Sequence, residues 1–414
     1  MSKLSHQELI TLILSLGVML LSARLLGELL RKFGIPLVVG EILAGIVLGP
    51  SLFGQLFPES LQFIFPSAGG ATLALNGITQ MSVIMLLFVA GLELELPLIL
   101  KQGKAAGLTS IFSLAIPFAI GFFAAYYAGD FFGLDDSNHL LVFSLFLGTA
   151  LSITALPVIA RILMDLKLLK TRIGMIVISS AMLNDLIGWL IFSLVLGLMN
   201  EGNSEHSLTY TILFTISYAV ILLTVGKYLI DKALPWIQKN FSWPGGILSI
   251  GLSLCFLGAA LTEYIGIHGV FGAFIVGMAF GDSVNLKEQE REIIQQFITN
   301  IFAPLFFVSI GLRINFVSNF SIELVAVVTA LAMISKIGGA WMGARLSGLN
   351  NSESMAIGFG MNARGAMEII LGLLALEAGI INDKLFVALV VMAILTSVIS
   401  GPMMQVFCKE VVKK

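Results

Sequence analysis

The sequence predicts an all-α polytopic membrane protein, a bundle of about thirteen transmembrane helices. Of its 414 residues, 57% are hydrophobic and 12% are charged, and the mean hydropathy is +0.99. This is more apolar side chain than the core of a soluble protein buries. Apolar runs of about twenty residues, the length of a bilayer-spanning helix, recur along the chain, and the alternating strands of a membrane barrel are absent.

Charged residues and Pro/Gly breaks divide the chain into thirteen predicted spans. The first is expected to be a retained helix, because it is too long for a signal-peptide core and ends in the charged stretch GELLRKFG. The chain stops soon after the last span, so no cytosolic regulatory domain is expected. The spans lie near 8–30, 36–49, 76–95, 104–129, 138–161, 172–199, 208–231, 244–263, 268–282, 295–312, 320–344, 354–378 and 385–408.

The basic residues are distributed very unequally between the two sides of these spans. If the spans alternate in direction, 17 of the 23 Lys and Arg residues lie on the side of the C-terminus, 3 lie on the opposite side and 3 lie inside spans. Basic residues mark the cytoplasmic side. The sequence therefore predicts a multi-pass protein of the cell (inner or plasma) membrane with its N-terminus outside and its C-terminus in the cytoplasm.

The two halves of the chain resemble each other. FGIPLVVGEILAGIVLGPSL (33–52) shares four glycine positions with IGIHGVFGAFIVGMAFGDSV (265–284), and residues 78–96 match 298–316. The matched spans are seven apart, an odd number, so their directions in the membrane are opposite. We expect an inverted repeat of two six-helix units, at about 8–199 and 244–408, joined by a linker helix at about 208–231, with the transport site between them.

Four ionisable residues lie near the middle of predicted spans. Asp185 is in the sixth span, Lys336 in the eleventh, and Arg364 and Glu368 in the twelfth. A charge at mid-bilayer costs about 3 kcal/mol or more, so such residues line a polar pathway or pair with one another. Arg364 and Glu368 are four residues apart on one helix face, which allows a local ion pair.

The fifth and twelfth spans each contain residues that interrupt a helix. In the fifth, Ser152, Thr154 and Pro157 replace aliphatic residues, and the proline leaves a backbone carbonyl without its helical partner. The twelfth contains glycines around Arg364. Matched interrupted helices in inverted repeats indicate an ion site, and hydroxyl, carbonyl and carboxylate oxygens are the ligands of hard cations.

Other protein classes are disfavoured by what the sequence lacks. The two cysteines, Cys255 and Cys408, form no disulfide or zinc pattern. There is no phosphate-binding loop, H-E-x-x-H motif or serine-nucleophile elbow. We therefore expect no enzymatic activity, no cofactor and no nucleic-acid partner.

Seven segments, in this order, cover nearly the whole chain: VVGEILAGIVLGPSLFG, FVAGLELE, ITALPVIARIL, LNDLIGW, FFVSIGLRIN, SKIGGAWMGA and MNARGAMEIILG. Together they resemble the monovalent cation/proton antiporter-2 family, which includes the spore-germination type of sodium/proton antiporter and the plant cation/proton exchangers. The resemblance implies a homodimer of thirteen-helix protomers. It also implies that spans 5 and 12 are two crossed, partly unwound helices in the core.

The resemblance also implies roles for particular residues. Asp185 would alternately bind a Na⁺ or K⁺ ion and a proton. Our own hypothesis from the residues is that Asn184, Ser152, Thr154 and freed carbonyls complete the coordination. Lys336 would pair with Asp185 when no cation is bound, and Glu368, with Arg364 and Pro157, would support the crossed helices.

This chain departs from the electrogenic members of the family at one position. Those members have two adjacent aspartates, whereas here the first is Asn184. One ionisable carboxylate makes electroneutral 1:1 exchange the simplest stoichiometry, although a lysine that releases a proton would restore a second one.

Several alternatives remain open from the sequence. Asp185 could be a structural carboxylate paired with Lys336 or Arg364, and Glu41 in the second span could be a second proton site or a packing residue. The chain could also be a potassium efflux channel-like protein, a sodium-coupled organic-anion symporter, or a membrane receptor.

Overall fold

The computed structural model describes residues 4–32, 37–94, 103–134, 139–166, 168–169, 171–199 and 208–412, and the regular elements within these ranges are all helical. Some residues used in the sequence predictions lie outside them, namely Lys3, Gly34, Lys101, Lys167, Lys170, Lys413 and Lys414. The helices are α1 His6–Arg31, α2 Leu37–Leu48, α3 Phe53–Leu56, α4 Pro58–Ile64, α5 Gly70–Leu92, α6 Gly103–Phe132, α7 Leu140–Ser152, α8 Leu156–Asp165, α9 Arg172–Met199, α10 Leu208–Ile221, α11 Lys227–Asn240, α12 Gly245–Ile265, α13 Gly269–Gly281, α14 Glu288–Arg313, α15 Ile322–Leu346, α16 Asn351–Met361, α17 Ala366–Glu377 and α18 Asp383–Val412.

Among the described residues, ten helices are long and apolar enough to cross a membrane. An eleventh candidate is the pair α16 and α17, which bends by 45° at a short break. Two further apolar helices, α7 and α13, have 13 residues each. Each predicted span falls on one of these helices or on a broken pair, and the count of thirteen membrane crossings remains a prediction.

One compact unit is formed by Met1–Leu94 and Leu213–Asn319. Its helices approach each other closely through glycines. A Cβ atom at Gly45 of α2 would collide with the Val308 carbonyl of α14, and one at Gly91 of α5 would collide with the Phe274 carbonyl of α13. Since glycine removes the side chain at these positions, the backbones pack directly against each other.

The predicted linker helix is longer than expected in this unit. The sequence predicted its end near residue 231, but a π-helical turn, Leu222–Gly226, leads into α11, which continues to Asn240. The charges that argued for an earlier end have partners within the unit. Lys227 forms an ion pair with Asp282, and Asp231 accepts a hydrogen bond from Ser283.

The other compact unit is formed by Glu95–Ile212 and Phe320–Lys414. It contains α6 to α9 and α15 to α18, and therefore every residue predicted for the ion site. Glu41 belongs to the other unit, where its side chain is buried in α2. Arg24 and Glu28 of α1, also in that unit, form an exposed ion pair with an Nη2–Oε1 distance of 2.9 Å.

Candidate functional site

Two helix breaks meet at the centre of the second unit. The first, Ile153–Ala155, separates α7 from α8, and the second, at 362–365, separates α16 from α17. The Ala155 amide donates to the Ala363 carbonyl at 2.9 Å, and Thr154 Oγ1 donates to the Met361 carbonyl at 3.0 Å. The breaks thus satisfy part of each other's backbone hydrogen-bonding capacity, which an isolated break inside a membrane would leave unmet.

The position of the first break follows from the sequence. Pro157 lies in the first turn of α8, where its missing N–H costs nothing. Continuing the helix from α7 through this proline would lose a hydrogen bond and bring the ring against the preceding turn. The side chain of Pro157 is outside the described part of the structure, so its support of the core remains a prediction.

Arg364 binds the end of α7. Its Nη1 donates to the Ala150 carbonyl at 2.8 Å and its Nη2 donates to the Leu151 carbonyl at 2.6 Å. The last carbonyls of a helix have no partner within it and carry partial negative charge, so a guanidinium is well matched to them. The same Nη1 lies 2.6 Å from Glu368 Oε1, which confirms the predicted i,i+4 ion pair.

Asn184 of α9 is held by two serines of α6. Ser110 Oγ and Ser113 Oγ lie 2.8 Å from opposite ends of its side-chain amide. The amide orientation that satisfies both ends directs nitrogen to Ser110, at 2.8 Å from Oγ and 3.1 Å from the carbonyl, and oxygen to Ser113 Oγ and Lys336 Nζ, the latter at 3.1 Å. This orientation is required because an ammonium can only donate and a carbonyl can only accept.

Lys336 of α15 is completely buried, and oxygens surround its ammonium. Its Nζ donates to the Ser113 carbonyl at 3.0 Å, to the Ser152 carbonyl, and to Asn184 Oδ1. These three oxygens come from three helices, α6, α7 and α9. A buried ammonium is tolerated when its hydrogens are satisfied in this way.

Asp185 follows Asn184 on α9 and is 2% exposed. It is one of three charged groups that interact electrostatically with Lys336, together with Arg364 and Glu368. Two carboxylates and two cations are therefore buried in one neighbourhood. The direct ion pair between Lys336 and Asp185 remains a prediction.

The two hydroxyl residues predicted as ligands lie at the first break. Ser152 Oγ donates to the Gly148 carbonyl at 2.6 Å, and Thr154 Oγ1 donates across the crossing. A hydroxyl that donates its single hydrogen still has lone pairs for a cation. Ser152 is 2% exposed and Thr154 is fully buried, so the site is shielded from water in this conformation.

Sequence reasoning missed Ser110, Ser113 and Asn362. The first two occur in an apolar run, with no charge to mark their span. Asn362 follows α16 directly, is completely buried, and has no hydrogen-bond partner for either polar side-chain atom within the described chain. Its place in the segment MNARGAME gave a signal, because an amide at a helix break in a membrane is unusual.

Known proteins resemble this chain over most of its length. A family model described as "Sodium/hydrogen exchanger, transmembrane" matches residues 17–410. The Na(+)/H(+) antiporter NhaS4 of Synechocystis is 32% identical over 92% of this chain and 93% of its own length. The Na(+)/H(+)-K(+) antiporter GerN of Bacillus cereus is 28% identical over 94% of both chains.

A longer relative and a solved structure of the same fold also resemble this chain. The K(+)/H(+) antiporter 1 of Saccharomyces cerevisiae is 30% identical over 89% of this chain, which spans 43% of that longer protein. Among solved structures, the sodium/proton antiporter MjNhaP1 of Methanocaldococcus jannaschii has the same fold, with a TM-score of 0.70, 18% identity, and coverage of 98% of this chain and 99% of its own. The resemblance drawn from the seven segments is confirmed, and this chain belongs to the family of transmembrane sodium/hydrogen exchangers.

Proposed function

We propose that this protein is a monovalent cation/proton antiporter in which Na⁺ or K⁺ and H⁺ compete for Asp185. One structural observation carries the proposal within the family. A chain of hydrogen bonds leads from Asn184, the neighbour of Asp185, through Lys336 to Ser152 at the first helix break. Asp185, the next residue of α9, interacts electrostatically with Lys336, the middle member of this chain.

The proposed cation ligands are the Asp185 carboxylate, the hydroxyl oxygens of Ser152 and Thr154, and carbonyls of the interrupted helices. All are hard oxygen donors, as Na⁺ and K⁺ require. Asn184 belongs to the site because it directly precedes Asp185 on α9. Binding of a proton neutralises Asp185 and removes the charge that attracts the cation, so one carboxylate couples the two ions.

The transport cycle requires access to Asp185 from one side at a time. We propose that the shielded site described above is an occluded state and that movement of the core exposes it alternately. Exchange of one cation for one proton moves no net charge, and an electroneutral cycle is accordingly proposed. At acid pH protons occupy the site, so cation exchange should slow.

The test uses the purified chain in sealed proteoliposomes with an imposed pH gradient and an internal pH dye. Addition of NaCl or KCl should dissipate the gradient equally with the membrane potential clamped or unclamped. Asp185→Asn should abolish this dissipation, since the amide neither ionises nor takes up a proton, without changing the thermal unfolding temperature by more than about 2 °C. Asp130→Asn is the matched control, because Asp130 is an exposed carboxylate at the end of α6.

Other outcomes identify other functions. Cation current without proton movement would indicate a channel, and dissipation that requires an added organic anion would indicate a symporter. Cation-dependent dissipation that persists in Asp185→Asn would remove Asp185 from the mechanism. A response to the clamp would show that net charge moves and would assign a second proton to Lys336.

A further inference from the structure

Ser110 and Ser113 lie three residues apart on one face of α6 and are 2% and 0% exposed. Buried serines in membrane helices commonly donate to a carbonyl one turn earlier in their own helix. Ser113 Oγ also lies 3.2 Å from the Ser110 carbonyl of its own helix, but both hydroxyls in addition contact the side chain of Asn184 on another helix.

The contacts leave Asn184 with no free hydrogen-bonding capacity. Its nitrogen donates both hydrogens to Ser110, to Oγ and to the carbonyl, and its oxygen accepts from Ser113 Oγ and Lys336 Nζ. A side-chain amide has two donor hydrogens and two acceptor lone pairs, so all four are used. In this conformation the hydrogen-bonding groups of the Asn184 side chain are all engaged by its protein neighbours.

Ser113 also acts directly on Lys336. Its carbonyl accepts from Nζ at 3.0 Å, while its hydroxyl holds the amide oxygen that is a second acceptor of the same ammonium. The third acceptor is the Ser152 carbonyl. Two of the three oxygens around the ammonium therefore depend on one serine.

The charged groups that interact electrostatically with Lys336 are Asp185 of α9 and, at the second break, Arg364 and Glu368. Arg364 and Glu368 are paired with each other at 2.6 Å. If the neutral oxygens release Lys336, its ammonium is free to approach Asp185, whose charge already acts on it. Contact between Lys336 and Asp185 would then oppose cation binding.

We propose that Ser113, supported by Ser110, is a positioning residue that holds the Lys336 ammonium among neutral oxygens and so limits its competition with the cation for Asp185. The transport consequence rests on the proposed function. Weakening this arrangement should raise the cation concentration needed for half-maximal exchange and leave the maximal rate nearly unchanged.

The first experiment compares Ser113→Ala with Ser335→Ala in the proteoliposome assay. Ser335 is the matched control, because it is buried next to Lys336 and its hydroxyl donates only within α15, to the Leu331 carbonyl at 2.6 Å and the Ala332 carbonyl at 3.3 Å. Ser113→Ala should raise the apparent KM for the cation about fivefold, the effect of one net hydrogen bond, with kcat within about twofold. Ser335→Ala should leave KM unchanged, and Ser113→Thr, which retains a hydroxyl, should restore the wild-type KM.

Ser110→Ala should raise KM in the same direction by a smaller factor, since the Ser113 hydroxyl still holds the Asn184 amide oxygen and the Ser110 carbonyl still accepts from the amide nitrogen. A KM for Ser113→Ala equal to that of Ser335→Ala would overturn the proposal. So would a loss of kcat with unchanged KM, which is the result expected of a merely structural serine.

A second experiment separates this proposal from the proposed function. The thermal unfolding temperature is measured in detergent for wild type, Ser113→Ala, Lys336→Met and the double variant. If Ser113 acts through Lys336, the decrease caused by Ser113→Ala should be less than about half as large in the Lys336→Met background. Equal decreases in both backgrounds would refute the coupling, whether or not the chain transports ions, whereas a wild type without exchange would refute only the antiporter proposal.

Discussion

Asn362 lies at the break between α16 and α17 with its side chain completely buried and neither amide atom hydrogen-bonded within the described chain. A buried polar group without a partner costs about 1–3 kcal/mol. A nearly isosteric apolar residue would avoid this cost. We therefore expect the amide to form a contact during transport.

We expect Asn362→Leu to leave the thermal unfolding temperature unchanged or higher, because it removes an unsatisfied amide from a buried site. We also expect it to lower the cation-dependent exchange rate about tenfold or more, equivalent to roughly 1.4 kcal/mol. Both quantities can be measured on one preparation, by unfolding in detergent and by the proteoliposome assay.

Asn350, at the other end of α16, is the control for this substitution. Its side chain accepts from the Glu353 amide at 2.8 Å and caps the helix. Asn350→Ala should therefore cost about 1 kcal/mol of stability and leave exchange intact. A large loss of stability in Asn362→Leu would mean that Asn362 has a structural role. Unchanged transport would mean that it has no role in exchange.

At the scale of single residues, the sequence could predict the charged members of the site but not the uncharged ones. Asp185, Lys336 and Arg364 could be found because ionised groups are expensive in a membrane and seldom lack a function. Ser113 could not be found in this way. Ser335 is also a serine in an apolar run, and within the described chain its hydroxyl bonds only to its own helix. Which neighbouring helix a serine contacts is determined by how the helices pack.

At the scale of helices, glycines determine where two backbones meet. Gly311 of α14 faces Gly45 of α2, and a Cβ atom added to Gly311 would collide with the backbone of Gly45 and Ile46. The repeat matches glycine positions between the two halves of the chain but does not tell which helices they join. The helix interruptions were predictable from Pro157 and the glycines around Arg364, whereas the hydrogen bonds between the two breaks required the fold.

Gly311→Ala should destabilise the protein by about 1–3 kcal/mol, because the close approach of α2 and α14 leaves no room for a methyl group. Gly338→Ala is the matched helical control, since apart from the local backbone of α15 no atom of the described chain lies within 4 Å of a Cβ atom there. It should be neutral or slightly stabilising, as alanine is the better helix former. Equal unfolding temperatures for the two variants would show that α2 and α14 are not in this close contact.

At the scale of the whole molecule, the assignment of most basic residues to one side of the membrane depends on whether α13 crosses it. Its 13 residues measure about 20 Å, whereas the hydrocarbon core is about 30 Å thick. Every residue of α13 is buried by protein, however, so the helix itself does not have to match the lipid. If it did not cross, all loops after it would change sides and the bias of 17 to 3 would fall to 13 to 7.

Two exposed residues on either side of α13 make this testable. Tyr264, at the end of α12, and Val284, after α13, are 91% and 85% exposed, while the native Cys255 and Cys408 are 0% and 7% exposed. With the N-terminus outside, Tyr264→Cys should react with a membrane-impermeant maleimide on intact cells, and Val284→Cys should react only after permeabilisation. Labelling of both under the same condition would mean that α13 does not cross, and the reversed pattern would place the N-terminus in the cytoplasm. The expected pattern would establish that a helix too short for the bilayer crosses it because protein surrounds it on every side.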